Sequence, residues 1–287
     1  FGMSNFCRGQ AWYDLIAAVD PNNDARIFIG GIDLLGSTNS GGSWTQVSQW
    51  YGGGGFQYVH ADQHMIVFQN GSSSRAYFGN DGGIFRTTNA TATTPSIAFI
   101  GNGYNVTQFY AADLNPNSGS NEFLAGAQDN GTQRYTSAGI NSTTEVTGGD
   151  GAFCHIDQDQ PNIQISSYVY NAYRITTNSW GSYTSRTIGS SAGSFINPTD
   201  YDSDNNVLYG AYTGGNYSYI TGVGSSNSTG SRSISQFSGG TVTNVRVSPN
   251  IANRVYFGLS NGEVVRVDNA NSGSASGTVV RTGSGSV

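Results

Sequence analysis

Lysine is absent from this 287-residue chain: all 12 of its basic side chains are arginine. Without a lysine amine there is neither a Schiff-base former nor the cation that a phosphate-binding P-loop requires. Charge of either sign is sparse, at 10% of residues, and the 18 acidic groups against 12 arginines leave a net charge of −6. The arginines stand singly, so the basic stripe of a nucleic-acid binder is missing. No apolar run approaches the roughly 20 residues that a membrane-spanning helix needs. Cysteine occurs twice, as Cys7 and Cys154. Such a pair forms one disulfide in an oxidising compartment or remains as two buried thiols. No Cys-x-x-Cys or His-Glu-x-x-His pattern offers a ready-made zinc site.

What remains is rich in glycine, with 41 Gly against 6 Pro, and is kept soluble by Ser, Thr and Asn. A hydrophobic content of 36% still supports a substantial core. This polar, weakly charged composition is the look of an extracellular or cell-surface protein. The chain opens on Phe1 rather than Met. It reads as a processed product or as part of a longer protein with flanking domains.

Helical periodicity is not sustained anywhere, whereas short apolar runs bounded by turn residues recur throughout. Between Leu15 and Val47 four such runs follow one another: Leu15–Val19, Ile27–Ile29, Leu34-Leu35 and a run from Trp44. Labelled A to D, they make one small antiparallel sheet. The A-to-B turn returns at Asp20-Pro21, Gln69-Asn70, Asn115-Pro116, Gln160-Pro161, Asp204-Asn205 and Pro249-Asn250. The steps between these starting positions are 49, 46, 45, 44 and 45 residues, close to the roughly 40–45 of a propeller blade. The B strands are read as IFIGG, AYFGN, EFLAG, SSYVY, VLYGA and VYFGL. The fold class is therefore all-β, a β-propeller of four-stranded antiparallel blades in one domain. Six blades are visible, with six to eight possible, over 15–47, 58–100, 110–148, 151–189, 195–237 and 243–287. Either residues 1–14 complete a blade or further blades lie outside this chain.

The C-to-D turn of the first unit contains Ser37, Asn39, Gly41 and Trp44, and that of the fourth contains Thr176, Asn178 and Tyr183. Both resemble the Asp-box of sialidase-like and BNR-repeat propellers, with Asn where those families usually carry Asp. An Asn amide bonds backbone within its own turn, Gly permits positive φ, and the aromatic is expected to pack between sheets. Trp44 is accordingly predicted to be largely buried. The motif is structural, and its families keep it away from the active site. Five further segments, HADQH (60–64), GNDGGIFRT (79–87), TQFY (107–110), GAQDNGT (126–132) and GGDGAF (148–153), look like secreted bacterial propellers of the BNR-repeat or sortilin-like kind. That resemblance spans about residues 9–187. More distantly, YFGNDGGIFR is similar to a segment of xyloglucanase-type glycoside hydrolases. This likeness would place a catalytic Asp at Asp81, paired in those enzymes with an Asp from a second propeller.

If strand A is innermost, the B-to-C turns and D-to-A loops share one end. That end collects Asp33, Asp81, Asp129, Asp150 and His60, with the aromatics Tyr51, Phe56 and Tyr104, into a funnel suited to a sugar or a cation. The plain alternative is that Asp81, Asp129 and Asp150 only hold tight turns, their carboxylates bonded to backbone N–H groups. His60, Asp62 and His64, two apart on an expected A strand, would share a face and could take a divalent metal. That ion would be structural, and no other cofactor is expected. Together these readings favour an extracellular adhesion or recognition module for glycans or cell-surface proteins. The alternatives are a glycoside hydrolase using Asp81 with Asp129 or Asp150, and a structural subunit of a surface assembly.

Overall fold

Short β-branched and aromatic runs between Gly, Asn and Asp turns cannot bury a face alone, and they pair into sheets that do. The computed structural model describes residues 6–104, 106–139 and 142–283. It contains six four-stranded antiparallel sheets, the blades of a propeller-type fold. The helical content is a single 3-10 turn at Ser235–Phe237 among the described residues. The chain divides into two compact units, residues 1–106 and 107–287.

The first unit holds blades 1 and 2. Blade 1 is β1 (Ile16–Asp20), β2 (Asn23–Gly30), β3 (Leu34–Ser37) and β4 (Thr45–Gln46); blade 2 is β5 (Gln63–Phe68), β6 (Ala76–Asn80), β7 (Gly83–Thr87) and β8 (Ile97–Phe99). The second unit holds four blades. Blade 3 comprises β9 (Ala111–Leu114), β10 (Phe123–Gly126), β11 (Thr132–Tyr135) and β12 (Thr144–Thr147). Blade 4 comprises β13 (Cys154–Ile156), β14 (Gln164–Ser167), β15 (Ala172–Thr176) and β16 (Thr184–Thr187). Blade 5 comprises β17 (Thr199–Asp202), β18 (Val207–Ala211), β19 (Asn216–Thr221) and β20 (Ser228–Ser233). Blade 6 comprises β21 (Val242–Val247), β22 (Val255–Leu259), β23 (Val264–Asp268) and β24 (Ser276–Arg281).

Every blade draws its strands from consecutive sequence, so residues 6–14 complete none of them, contrary to one expectation. The outer strand of blade 6 is its own β24. All six A-to-B turns fall where the repeat placed them. The fourth B strand, however, is QISS rather than SSYVY. Tyr168–Tyr170 leave the ladder because Tyr170 takes a left-handed φ of 56° and Ala172 N–H closes a tight turn on Val169 O at 3.3 Å.

One tie repeats across the blades and joins the two turns of a single end. An N–H of the C-to-D turn donates to a carbonyl of the A-to-B region: Ser40 to Ala25, Ala90 to Ser74, Ser179 to Asn162, Val223 to Asn206 and Ala270 to Asn253, all at 2.8–3.0 Å. The A-to-B turn itself is held by a side chain two residues back. Asn22 N–H bonds Asp20 Oδ1, Asn117 N–H bonds Asn115 Oδ1 and Asp159 N–H bonds Asp157 Oδ1, each at 2.9 Å. The A strands of blades 1 and 2, of blades 3 and 4, and of blades 5 and 6 pack side by side: β1 with β5, β9 with β13 and β17 with β21. In the second unit a half-buried carboxylate crosses that seam twice. Asp113 Oδ2 accepts Ile156 N–H at 2.7 Å, and Asp200 Oδ2 accepts Val247 N–H at 2.8 Å. Burial raises the pKa of both acids, and these backbone bonds pull it back in part. His155 lies in the same layer with Nε2 on Thr199 Oγ1 at 2.9 Å, and burial pushes its pKa down to about 3, so it is neutral.

The core lies between adjacent sheets. In the first unit Phe28, Leu34, Val47, Ile66, Phe78 and Phe85 fill the space between blades 1 and 2. In the second, Tyr209, Tyr217, Phe237, Val245 and Phe257 do so between blades 5 and 6.

Candidate functional site

Residues 6–14 lie across the loop end of the first unit, and Gly31 in the first B-to-C turn makes room for them. A Cβ at Gly31 would stand 2.6 Å from Cys7 Sγ and 2.9 Å from the Phe6 ring. Cys7 is buried and donates its thiol to Asp14 O at 3.2 Å. The segment then doubles back, Tyr13 and Asp14 N–H both bonding Gln10 O. This fold of the chain delivers three side chains to blade 2. Gln10 Nε2 donates to Asp62 Oδ1 at 2.6 Å and to Asp14 Oδ2 at 3.2 Å. Tyr13 O–H donates to Asp81 Oδ2 at 2.9 Å. His64 Nε2 meets Asp81 Oδ1 at 2.6 Å, and the Tyr13 ring stands edge-on to the imidazole, centroids 4.8 Å apart. Carboxylate oxygens of Asp62 and Asp81 lie within 4.8 Å of each other.

The expected common face of His60, Asp62 and His64 does not form. Strand β5 starts only at Gln63, Asp62 adopts a left-handed φ of 63°, and the register shifts between Gln63 and Met65. His60 is instead pressed on Gly82, where a Cβ would come within 2.3 Å of the imidazole Cγ. Asp62 turns inward and is buried, while His64 turns outward to Asp81. The partners that complete this cluster, Gln10, Tyr13 and Asp14, carry no local sequence signal. They belong to a segment without strand periodicity, and only tertiary packing selects them.

Burial is the main reason that the Asp62 acid is pushed up to about 6, and the neighbouring Asp14 and Asp81 carboxylates add to it. Asp14 is also raised by burial, although Gln10 counteracts this. The consequence for stability has a definite sign. Between about pH 4 and pH 6 the native Asp62 keeps a proton that the unfolded chain has already lost, so stability falls as pH rises through that window and is flat above it. In buffer free of divalent cations, the wild type should lose on the order of 2 kcal/mol across it. Asp62→Asn should flatten the profile. An unchanged slope in chemical denaturation series of that variant would contradict the assignment.

The other expected site residues are distributed as follows. In the first unit Asp33 is buried and its Oδ1 accepts Trp50 N–H at 2.8 Å, fixing the D-to-A loop. Trp50 and Tyr51 pack T-shaped at 5.1 Å with both rings exposed. Tyr104 is exposed and Phe56 half-buried. In the second unit Asp150 Oδ1 accepts the N–H of Asp129, itself in a left-handed conformation with φ of 58°, at 3.2 Å. Asp33 and Asp150 therefore hold backbone, though each reaches a neighbouring loop instead of its own turn. Asp81 departs from the expectation: both of its oxygens are held by side chains. Cys7 and Cys154 are both free and buried, so the disulfide alternative is not realised. Burial pushes the Cys154 thiol up to about 12.

The two Asp-box-like turns share one bonding pattern. Asn39 Oδ1 accepts Ser43 N–H at 2.8 Å and Ser37 Oγ accepts Gly41 N–H at 2.9 Å; Asn178 Oδ1 accepts Ser182 N–H at 2.9 Å and Thr176 Oγ1 accepts Trp180 N–H at 3.0 Å. The aromatics differ from expectation. Trp44 is only half-buried, lying over Gly41, and Tyr183 is exposed. In the second turn Trp180 takes the inward position, with Nε1 donating to Gln164 Oε1 at 2.6 Å. Its φ of 73° occupies the place of Gly41. A third turn of this kind follows β7: Thr87 Oγ1 donates to Asn89 Oδ1 at 2.9 Å, and Asn89 Oδ1 accepts Ser96 N–H at 2.8 Å. Its signal was Thr-x-Asn directly after a C strand. The pentad Gly189-Ser190-Ser191-Ala192-Gly193 has Gly-x-Ser-x-Gly spacing but follows outer strand β16 and leads into no helix, so it is not a nucleophile elbow.

No family model matches the chain, and no curated protein matches it. Among solved structures it is similar to YCF48 bound to D1 peptide, at 11% identity over 93% of this chain and 85% of that one, with a TM-score of 0.45. It is also similar to a Niastella koreensis GH74 enzyme, at 17% identity over 92% of this chain and 46% of that one, with a TM-score of 0.46. A third likeness is to a chain of a Mitotic Checkpoint Complex, at 8% identity over 95% of this chain and 77% of that one, with a TM-score of 0.45. Among the described residues no helix is long and apolar enough to cross a membrane.

Proposed function

We propose that this chain is a glycan-recognition module of an extracellular or cell-surface protein, binding through the loop end of its first unit without cleaving its ligand. One observation carries the reading: Asp81 has both oxygens engaged, by Tyr13 and His64, directly beside exposed aromatic rings. A carboxylate so held is poor at attacking a sugar carbon, yet it fixes the Tyr13 ring in place. Trp12, 85% exposed, lies 5.7 Å from Tyr13, and Trp50 with Tyr51 supplies another open aromatic face. Flat, open rings next to hydrogen-bonding acids suit the apolar faces and hydroxyls of sugars. The surface composition and the Asp-box-like turns support secretion and kinship with BNR-repeat propellers. A protein ligand in place of a glycan would use the same rings.

A second reading, glycoside hydrolysis, has one observation in its favour. Asp62 retains a proton to about pH 6 within 4.8 Å of Asp81, near the spacing of about 5–5.5 Å in retaining glycosidases. A glycan array with neutral and acidic oligosaccharides, followed by product analysis of any hit, separates the two. Binding without new reducing ends is expected. Trp12→Ala should weaken binding roughly tenfold or more and leave the melting temperature unchanged, since the ring is exposed. An array without hits, or full affinity in Trp12→Ala, would sink the recognition reading. Cleavage that disappears in Asp81→Asn would establish the hydrolase.

A further inference from the structure

Arg26 carries donors that the side chains around it only partly answer. It stands on β2 two residues before Phe28, so it shares the face that β2 turns to blade 2. Its side chain is 14% exposed. Nε is buried and meets no acceptor among the described residues. Nη1 faces Asp20 Oδ2 at 3.8 Å, which balances the charge but is too long for a hydrogen bond. A buried donor without an acceptor is costly, and native proteins rarely leave one so. Arg26 also borders a cleft between the C-to-D turns of blades 1 and 2, at the end of the unit opposite the loop end. Phe28 and Ala90, both buried, give the cleft an apolar side, and the exposed Thr38, Thr45 and Thr93 surround it. About 30 Å³ of it is open to water-sized groups, roughly room for two or three of them.

We propose that this cleft holds the acetamido group of an N-acetylated amino sugar. The carbonyl oxygen accepts the Nε–H of Arg26, the methyl lies on Phe28 and Ala90, and the sugar ring stays outside. Carbonyl oxygen, amide nitrogen and methyl are about what the space admits. Charge decides between this group and a carboxylate of similar size. Asp20 already balances Arg26, so a second anion would meet a like charge in a poorly solvated cleft, whereas a neutral carbonyl accepts the same hydrogen bond without that penalty. The threonine hydroxyls at the mouth can each donate and accept, as the hydroxyls of a sugar ring require. Nothing in this assignment uses the rings of Trp12 and Tyr13, so it stands or falls separately from the reading of the loop end.

The full chain is titrated with N-acetylglucosamine, glucose, acetate and N-acetylglycinamide, and binding is followed by saturation-transfer NMR on the ligand resonances. For so small a contact, N-acetylglucosamine should bind with a Kd on the order of 1–10 mM. The other three ligands should bind at least about tenfold more weakly. Arg26→Met, which keeps the stem and removes the donors, should weaken binding about 10–100-fold. That change also deprives Asp20 of its cation. Ala92→Leu is therefore the second variant: it fills the cleft from its half-buried edge, leaves Arg26 and Asp20 in place, and should weaken binding as much without lowering the melting temperature. No binding of N-acetylglucosamine up to about 50 mM means that the cleft holds water alone and overturns the proposal. So does full affinity in both variants, or a signal lost in Trp12→Ala, which puts the sugar at the loop end. Acetate or N-acetylglycinamide binding as tightly as the sugar overturns the choice of ligand, in favour of a carboxylate or an acetylated peptide.

Discussion

Phe257→Ala is expected to cost about 3–5 kcal/mol, among the largest losses available to a single substitution in this chain. The ring is fully buried in β22 and sits 5.1 Å from both Tyr217 and Phe237, centroid to centroid. Tyr217 in turn donates its hydroxyl to Ala270 O at 2.5 Å, so the aromatic cluster is pinned to the C-to-D turn of blade 6. Removing Phe257 leaves a void lined by two rings that cannot both move in to fill it. A drop in melting temperature of roughly 10 °C should follow for a unit of this size. Phe99→Ala, at a ring that is 43% exposed, is the comparison and should cost far less. Equal denaturation midpoints for the two variants would contradict the packing described here.

The second large effect is expected at Gly126, in the GAQDNGT segment. A Cβ there would stand 1.9 Å from Ala152 O and 2.6 Å from Ala152 N, both backbone atoms that no rotamer change can move. The same junction holds Ala127 N–H on Gly131 O at 2.9 Å and Gly151 N–H on Ala127 O at 2.8 Å. Gly126→Ala must therefore pry blade 3 from the start of blade 4, at about 3 kcal/mol or more. Gly273→Ala, where a Cβ meets nothing within 4 Å, should stay within about 0.5 kcal/mol of wild type. Gly126, Gly131 and Gly151 of these two segments thus serve close backbone approach. If Gly126→Ala unfolds at the same denaturant concentration as Gly273→Ala, the two backbones are not in contact.

The amino-acid sequence by itself determined the strands, the turns and their repetition. Those features are decided among near neighbours: Asp20 bonds Asn22 N–H two residues on, and Asn39 bonds Ser43 N–H four residues on. Their chemistry survives translation along the chain, which is why six A-to-B turns were legible and why Asn39 and Asn178 make the same bonds. Only the fourth B strand slipped, because Ser167 to Tyr170 is apolar enough for a strand while Tyr170 turns left-handed. The candidate site was legible in fragments. Asp62, His64 and Asp81 stood out, but strand alternation misassigned their faces, since a left-handed Asp62 and a register shift at Gln63 interrupt the period of two. Tertiary structure alone decided that Asp14 meets Asp62, 48 positions further on, that Trp180 turns inward and Trp44 only partly so, and that Asp62 holds its proton. Proximity between distant segments and the removal of water from a carboxylate are properties of packing, and no short window of residues contains them.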